Sequence, residues 1–383
     1  MPDRAVFLFG TLRHGPLLSL VAGRTVTGVA ATLAGYSCEI AMTGDWPVLV
    51  KREGARAEGL LIRVDAGVLA RLDFYEAVFG YARHGVTVEA EEGPVAAEVW
   101  RPGDADPGRG LPWDLDAWAA GWAGMTMEAA RDIMRRMGTQ PVAEVARLTP
   151  IIRARAGAVI RTRAWTRPRR RQGGLDAGAV EILSRSHPYD GFFSMEEIVA
   201  RHARFDGGPP VEVKRAVYRV ADAATVLPYD PVRDRILLIE QVRFGPLAQG
   251  DPAPWLLEPV AGLIDGGESP EETARREAVE EAGVILDALH FVARYYPSPG
   301  GVAQVIFSYV GIADLPDDAA TLGGHDHEGE DILGHVIPFE EAMAMMQAGD
   351  IVNAPAIVTL QWLAVHRDRL RREHGGDPGS GAA

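Results

Sequence analysis

The chain has 383 residues, 47% of them hydrophobic, and its 39 Lys and Arg against 53 Asp and Glu leave a formal net charge of −14. At about 100–200 residues per domain this length implies two or three domains, and the composition excludes a disordered or collagen-like chain. The acidic balance argues against a nucleic-acid partner gripped by a general positive field.

Short apolar runs at Ala5–Phe9, Gly59–Val64, Gly85–Glu89 and Val95–Trp100, separated by Gly and polar turns, predict a β-rich first domain over 1–110. A helix is expected near Ala66–Phe74, and residues 114–150 read as helical. Arg153, Arg155, Arg161, Arg163, Arg167, Arg169, Arg170 and Arg171 precede Gln172-Gly173-Gly174, so 111–178 is expected to be a helical extension and basic linker. In the second domain, 179–372, strands are predicted at 223–228, 235–242, 290–297 and 302–312. Helices follow at 339–348 and 354–370, the latter started by Asn353 and Pro355, and 373–383 reads as a flexible tail. The only cysteine, Cys38, rules out an intrachain disulfide, and no apolar run approaches the ~18 residues of a membrane span. A soluble cytoplasmic protein is expected, with neither nucleic acid nor membrane as partner.

The segment from Gly262 to Val284 carries the chemistry. Ser269 is a good N-cap, Pro270 fits the first helical position, Glu272 completes a capping box, and Gly283 ends the helix. Glu277, Glu280 and Glu281 then share one helical face, where like charges repel by a few tenths of a kcal/mol per pair, roughly. A hard divalent cation such as Mg²⁺ would relieve that repulsion; the alternative is a solvated acidic face. With Glu268 and Arg276 the string fits Gly-x5-Glu-x7-Arg-Glu-U-x-Glu-Glu-x-Gly-U, where Ala278 and Val284 fill the apolar positions U.

This pattern resembles the Nudix box, at every fixed position. The resemblance implies an α/β/α sandwich that hydrolyses nucleoside diphosphates linked to another moiety, with Mg²⁺ or Mn²⁺. It implies Glu277, Glu281 and the carbonyl of Ala261 as metal ligands, and Glu280 as a ligand or water-orienting group. Glu268 and Arg276 would pair to hold the loop beginning at Gly262 against the helix.

Further segments resemble the ADP-ribose pyrophosphatase subgroup over about residues 210–370. They are Leu227-Pro-Tyr-Asp230, Ile239-Glu-Gln-Val-Arg243, Trp255-Leu-Leu-Glu258 and Pro299 sixteen residues beyond Gly283. That likeness places Arg243, Glu258 and Pro299 around the substrate, makes Glu328 the general base and adds Glu330 as a metal ligand. An ion pair is the alternative for Arg243 and Glu258, and a plain turn for Pro299. The subgroup also implies a homodimer. The subgroup's usual Glu-Arg-Gly-Asp is replaced by Arg219-Val220-Ala221-Asp222, leaving Lys214 and Arg215 as substitutes for a missing arginine. His325-Asp326-His327 reads as part of a polar catalytic loop, with a transition-metal pair as the rarer alternative.

In the first domain, Phe9-Gly10-Thr11-Leu12-Arg13, Gly44-Asp-Trp-Pro-Val-Leu49 and Leu72-Asp-Phe-Tyr-Glu76 resemble the γ-glutamylcyclotransferase-like (AIG2-like) fold, a small β-barrel with helices. The likeness implies that Gly10, Thr11 and Leu12 bind substrate and that Glu76 is a general acid/base closing 5-oxoproline; a binding or stabilising module is the rival. The whole is expected to be an α+β two-domain protein whose second domain splits ADP-ribose or a related ADP-sugar into AMP and a sugar phosphate. Another nucleoside diphosphate sugar or a dinucleotide is the alternative substrate, and a nucleotide-sensing module without turnover the alternative function. The fusion is also similar to proteins grouped with bacterial tellurite resistance (TrgB-like).

Overall fold

The structure is a computed structural model that describes residues 3–102, 108–168, 171, 173–319, 322–324 and 329–375. The chain divides into two compact units, residues 1–165 and 166–383.

In the first unit the strands β1 (Arg4–Leu8), β2 (Gly28–Ile40), β3 (Pro47–Val64), β4 (Tyr81–Ala90) and β5 (Gly93–Pro102) form a closed barrel in the order β1-β3-β2-β4-β5. Closure abolishes exposed sheet edges, and it comes from a parallel bridge between Val6 and Glu98. The alternating apolar positions fill the interior with Phe7, Leu33, Leu61, Val88 and Val99. Gly59 belongs to this packing, since a Cβ there would lie 2.4 Å from the Phe7 ring and 2.5 Å from the Leu8 carbonyl oxygen.

Helix α1 (Gly15–Ala22) follows a short turn of 3-10 helix at Thr11–Arg13, and α2 (Ala66–Val78) is capped by the Asp65 side chain. The stretch expected to be one helical region is three helices, α3 (Leu115–Arg135), α4 (Val142–Arg147) and α5 (Thr149–Arg163). Pro141 and the Pro at the start of α5 set the breaks. Four arginines placed in a linker by composition, Arg153, Arg155, Arg161 and Arg163, therefore lie in α5. Arg155 is buried and pairs with Asp132 at 3.2 Å, and Arg163 reaches Glu128 at 2.6 Å. Asp132 is held down at about 2 against its own burial by the guanidinium groups of Arg136, Arg155 and Arg135.

The second unit holds two sheets. A four-stranded sheet contains β6 (Val180–Asp190), β7 (Ser194–His202) and β8 (Val211–Arg219), with the short β14 (Val302–Ala303) beside β8. No hydrophobic alternation announces β6, because it is exposed along nearly its whole length.

The larger sheet runs β13 (Ala288–Tyr295), β15 (Ile306–Ile312), β9 (Ala223–Asp230), β10 (Arg235–Val242), β17 (Ile332–Pro338) and β16 (Leu322–Gly323). Strand β11 (Trp255–Glu258) joins β10, and β12 (Val260–Leu263) joins β9. Leu227 and Tyr229 of β9 enter a core with Phe339 and Ala342 of α8 (Phe339–Ala348) and Leu360 and Leu363 of α9 (Ala354–His374). The intervening residues of β9 face the other way, toward α7 (Pro270–Ala282), so this strand is buried on both faces. A short helix, α6 (Phe244–Gln249), follows β10.

One expected strand, 302–312, is broken between the two sheets. The buried carboxylate of Asp222 accepts the Val305 N–H at 3.0 Å, and the Gln304 amide donates to the Ala221 carbonyl at 3.0 Å. Those bonds take the place of ladder bonds at the break.

Gly59→Ala forces a methyl group into contacts already filled by Phe7 and a backbone oxygen, an overpacking cost of about 1–3 kcal/mol. Hydrogen exchange read amide by amide is expected to quicken in β1 and β3.

Candidate active site

Helix α7 forms as its local chemistry requires. Ser269 Oγ accepts the Glu272 N–H at 3.2 Å, Glu272 Oε2 accepts the Ser269 N–H at 2.8 Å, and Gly283 ends the helix in the left-handed region at φ 64°. Its inner face buries Thr273, Ala274, Ala278, Glu281 and Ala282, so an acidic residue stands within the apolar stripe.

Glu281 is 4% exposed, and its Oε2 accepts the Ala261 N–H at 2.9 Å. Burial pushes its carboxyl up to about 8, aided by the charges of Glu277 and Glu330 and opposed by that backbone bond and by Arg243. Glu277 is raised as well, first by burial, then by Glu280 and Glu330, while the Arg276 guanidinium pulls the other way. A Cβ at Gly262 would lie 1.8 Å from Glu277 Oε1, so the glycine is the space into which that carboxylate folds. Likewise a Cβ at Gly323 would lie 1.9 Å from the Glu281 carbonyl oxygen, which brings β16 directly onto the end of α7.

Arg276 organises the group. Its Nε and Nη2 donate to the two Glu268 oxygens at 2.9 and 3.0 Å, while Nη1 donates to Glu277 at 2.7 Å and Glu280 at 2.9 Å. Thr273 Oγ1 adds a bond to Glu268 at 2.7 Å, fixing the loop before the helix. Among the described residues no three His, Cys, Asp or Glu side chains are drawn together as an ion-holding group. The guanidinium instead separates Glu277 from Glu280. The donors around it are hard oxygens, and the Gly262 cradle leaves Glu277 its place; such a donor set suits a hard divalent cation.

Arg243, at the end of β10, is tied to Glu258 at the end of β11. Arg243 Nε donates to Glu258 Oε2 at 2.7 Å, Nη2 bonds the same oxygen, and Asn353 Nδ2 donates to Oε1 at 2.9 Å. Glu258 is thus buried and occupied by protein donors, the ion-pair alternative for these two residues. Sequence reading gives Asn353 as the start of the last helix, which resembles the subgroup's C-terminal helix, and assigns it no place in the site. Glu330 is half-buried and makes itself felt at Glu277 and Glu281 through its charge. Pro299 is exposed in the turn between β13 and β14, which closes on itself through Gly301 and Val302 N–H groups donating to the Ser298 carbonyl. Lys214 pairs with Glu197 at 2.9 Å and Arg215 donates to the Lys214 carbonyl, so both are engaged within the smaller sheet. Glu328, with His325 and His327, lies outside the described residues.

In the first unit, Gly10 opens the Thr11–Arg13 turn, and a Cβ on it would lie 2.6 Å from the Pro47 ring. Thr11 is half-buried and Leu12 buried. Glu76 lies near the end of α2, one turn beyond Asp73, which is held by Trp100 Nε1 at 3.0 Å and Arg83 Nε at 2.8 Å. Glu76 itself makes no side-chain hydrogen bond among the described residues, and burial, with the Asp73 charge, pushes it up to about 8. Cys38 is pushed up to about 12 by burial, the opposite of what a nucleophilic thiol needs.

A carboxyl raised on folding favours the folded state below its unfolded value and withdraws that support as pH climbs toward its folded value. Wild type is therefore expected to lose stability between about pH 4.5 and 8 more steeply than Glu76→Gln, with the gap in thermal midpoint reaching ~3 °C or more at the alkaline end. Thermal unfolding of both proteins across that range is the check.

Two family profiles match the chain. One, the NUDIX domain, matches residues 219–358, and the other, "Gamma-glutamyl cyclotransferase, AIG2-like", matches residues 6–119. An Escherichia coli (strain K12) protein named ADP-ribose pyrophosphatase is 42% identical over 194 residues, 51% of this chain and 92% of that one. Its Haemophilus influenzae counterpart of the same name is 37% identical over 195 residues, 50% of this chain and 89% of that one. A GDP-mannose pyrophosphatase of Enterobacter sp. (strain 638) is 33% identical over 186 residues, 49% of this chain and 95% of that one. The buried Glu281, the Arg276 network and these matches agree, and the chain belongs to the Nudix family, with a γ-glutamyl cyclotransferase, AIG2-like domain ahead of its Nudix domain.

Proposed function

We propose that the Nudix domain hydrolyses the diphosphate of ADP-ribose, or of a related ADP-sugar, to AMP and a sugar phosphate, with Mg²⁺ or Mn²⁺ as cofactor. The observation that carries this reading is the set of four carboxylates, Glu277, Glu280, Glu281 and Glu330, two of them raised by burial and by one another's charge. A fold keeps the buried Glu281 and the half-buried Glu277 one helical turn apart only at a cost, and a cation–diphosphate complex would offset it. The names of the relatives support the substrate class.

Glu277, Glu281, Glu330 and the Ala261 carbonyl would hold the divalent ions, with Glu280 as ligand or orienter of the attacking water. When bound, the ion neutralises the diphosphate oxygens and makes water a better nucleophile. Glu328 is proposed as the base that takes the water's proton, Arg243 faces a phosphate, and Pro299 borders the substrate. Glu268, Arg276 and Gly262 keep the carboxylates in place. A homodimer and a cytoplasmic setting belong to the same reading. The exposed apolar side chains Ile182, Tyr189 and Phe192 around β6 support a second copy docking there.

In the AIG2-like domain, Glu76 is proposed as a general acid/base that moves a proton from the α-amine of a γ-glutamyl compound held at Gly10-Thr11-Leu12. What supports this is its raised carboxyl, titrating close to neutrality as such a group requires.

Wild type is expected to turn over ADP-ribose faster than other nucleoside diphosphate sugars and dinucleotides, to stop on chelation, and to recover with Mg²⁺ or Mn²⁺. Glu281→Gln should lower kcat/KM by about 10²-fold or more. Equal or better turnover of GDP-mannose would move the substrate to the alternative class, and a panel with no turnover would leave a sensing module. For the first domain, wild type is expected to release 5-oxoproline from γ-glutamyl amino acids and Glu76→Gln to release none. Wild type releasing none would leave a binding module.

A further inference from the structure

We propose that Asn353 is a positioning residue for the substrate's diphosphate, acting through Glu258 to fix the guanidinium of Arg243. The inference rests on the Nudix hydrolase reading above and goes one residue deeper.

Asn353 stands at the start of α9 and does two things with one amide. Its Oδ1 accepts the Ala356 N–H at 3.0 Å, capping the helix, and this forces the Nδ2 group to the opposite side. There it donates to Glu258 Oε1 at 2.9 Å. Helix α9 is a firm support, since its Ala356, Leu360 and Leu363 are completely buried.

Glu258 in turn divides its oxygens. Oε1 belongs to Asn353 and Oε2 to Arg243, whose Nε donates at 2.7 Å. The carboxylate is 5% exposed, so water is a poor substitute for either partner. Arg243 is thereby held by one edge of its planar fork, while its Nη1 makes no hydrogen bond among the described residues and the side chain keeps 38% of its exposure. Such a half-committed guanidinium, close enough to Glu281 to act on its charge, is suited to a phosphate oxygen.

The choice of residue is informative. Ser, Asp and Asn cap a helix about equally well, but only Asn also brings an N–H donor to Glu258. Capping explains a polar residue at 353, and the bond to Glu258 explains this one.

The test exploits that difference. Asn353→Ser keeps a capping oxygen and leaves one buried oxygen of Glu258 unpaired, so its thermal midpoint should fall by about 2–8 °C with unfolding still cooperative. Its KM for ADP-ribose should rise about ten-fold, with kcat within about two-fold. Asn353→Asp, which caps but sets a second carboxylate against Glu258, should raise KM at least as much. In Arg243→Ala, adding Asn353→Ser should change KM no further, because the path it acts through is gone. A wild-type KM in Asn353→Ser, or full additivity with Arg243→Ala, overturns the positioning role while leaving the hydrolase reading intact. Absence of turnover by wild type on the whole nucleotide panel overturns both.

Discussion

Everything in the second unit turns on keeping like charges close together inside a fold. Glu277 and Glu281 lie one α-helical turn apart and point inward, where desolvation and mutual repulsion both favour the uncharged form. Three devices make this tolerable. A backbone N–H from β12 reaches Glu281, the Arg276 guanidinium spans Glu268, Glu277 and Glu280, and Arg243 acts on Glu281 from the neighbouring strand. Each comes from a different element, so sheet register and helix placement are tied to the charge problem.

The same pairing of cost and support recurs at smaller scale in the first unit. Glu76 is raised while Asp73, one turn before it, is satisfied by Trp100 and Arg83. Two carboxyls on one helix thus meet different surroundings, Asp73 held by an indole N–H and a guanidinium and Glu76 buried without a hydrogen-bonding partner among the described residues.

Much of this was legible in the residues. The α7 helix, its capping box and its glycine stop follow from local rules, and the shared face of Glu277, Glu280 and Glu281 follows from helical spacing. Short apolar runs marked parts of β1, β3, β4 and β5, whereas β2 carried no such run. What was illegible depended on contacts distant in sequence. Strand β6 shows no alternation because neither face is buried, and the break at Gln304–Val305 is dictated by Asp222 more than eighty residues earlier. Arg155 reads as one more charge in a basic run until α5 packs it beside Asp132. Asn353 and Glu258 are ninety-five residues apart, and no spacing rule joins them.

Two glycines touch α7 from outside the helix. Gly262 admits the Glu277 carboxylate and Gly323 admits the Glu281 carbonyl, so the helix is seated against main chain at both ends of its acidic stripe. At the Gly323 end backbone meets backbone, and at the Gly262 end backbone meets the Glu277 side chain. No rotamer change can therefore relieve a side chain added at Gly323, because the Glu281 carbonyl cannot turn aside on its own. One end of the carboxylate stripe is thus gauged by main chain.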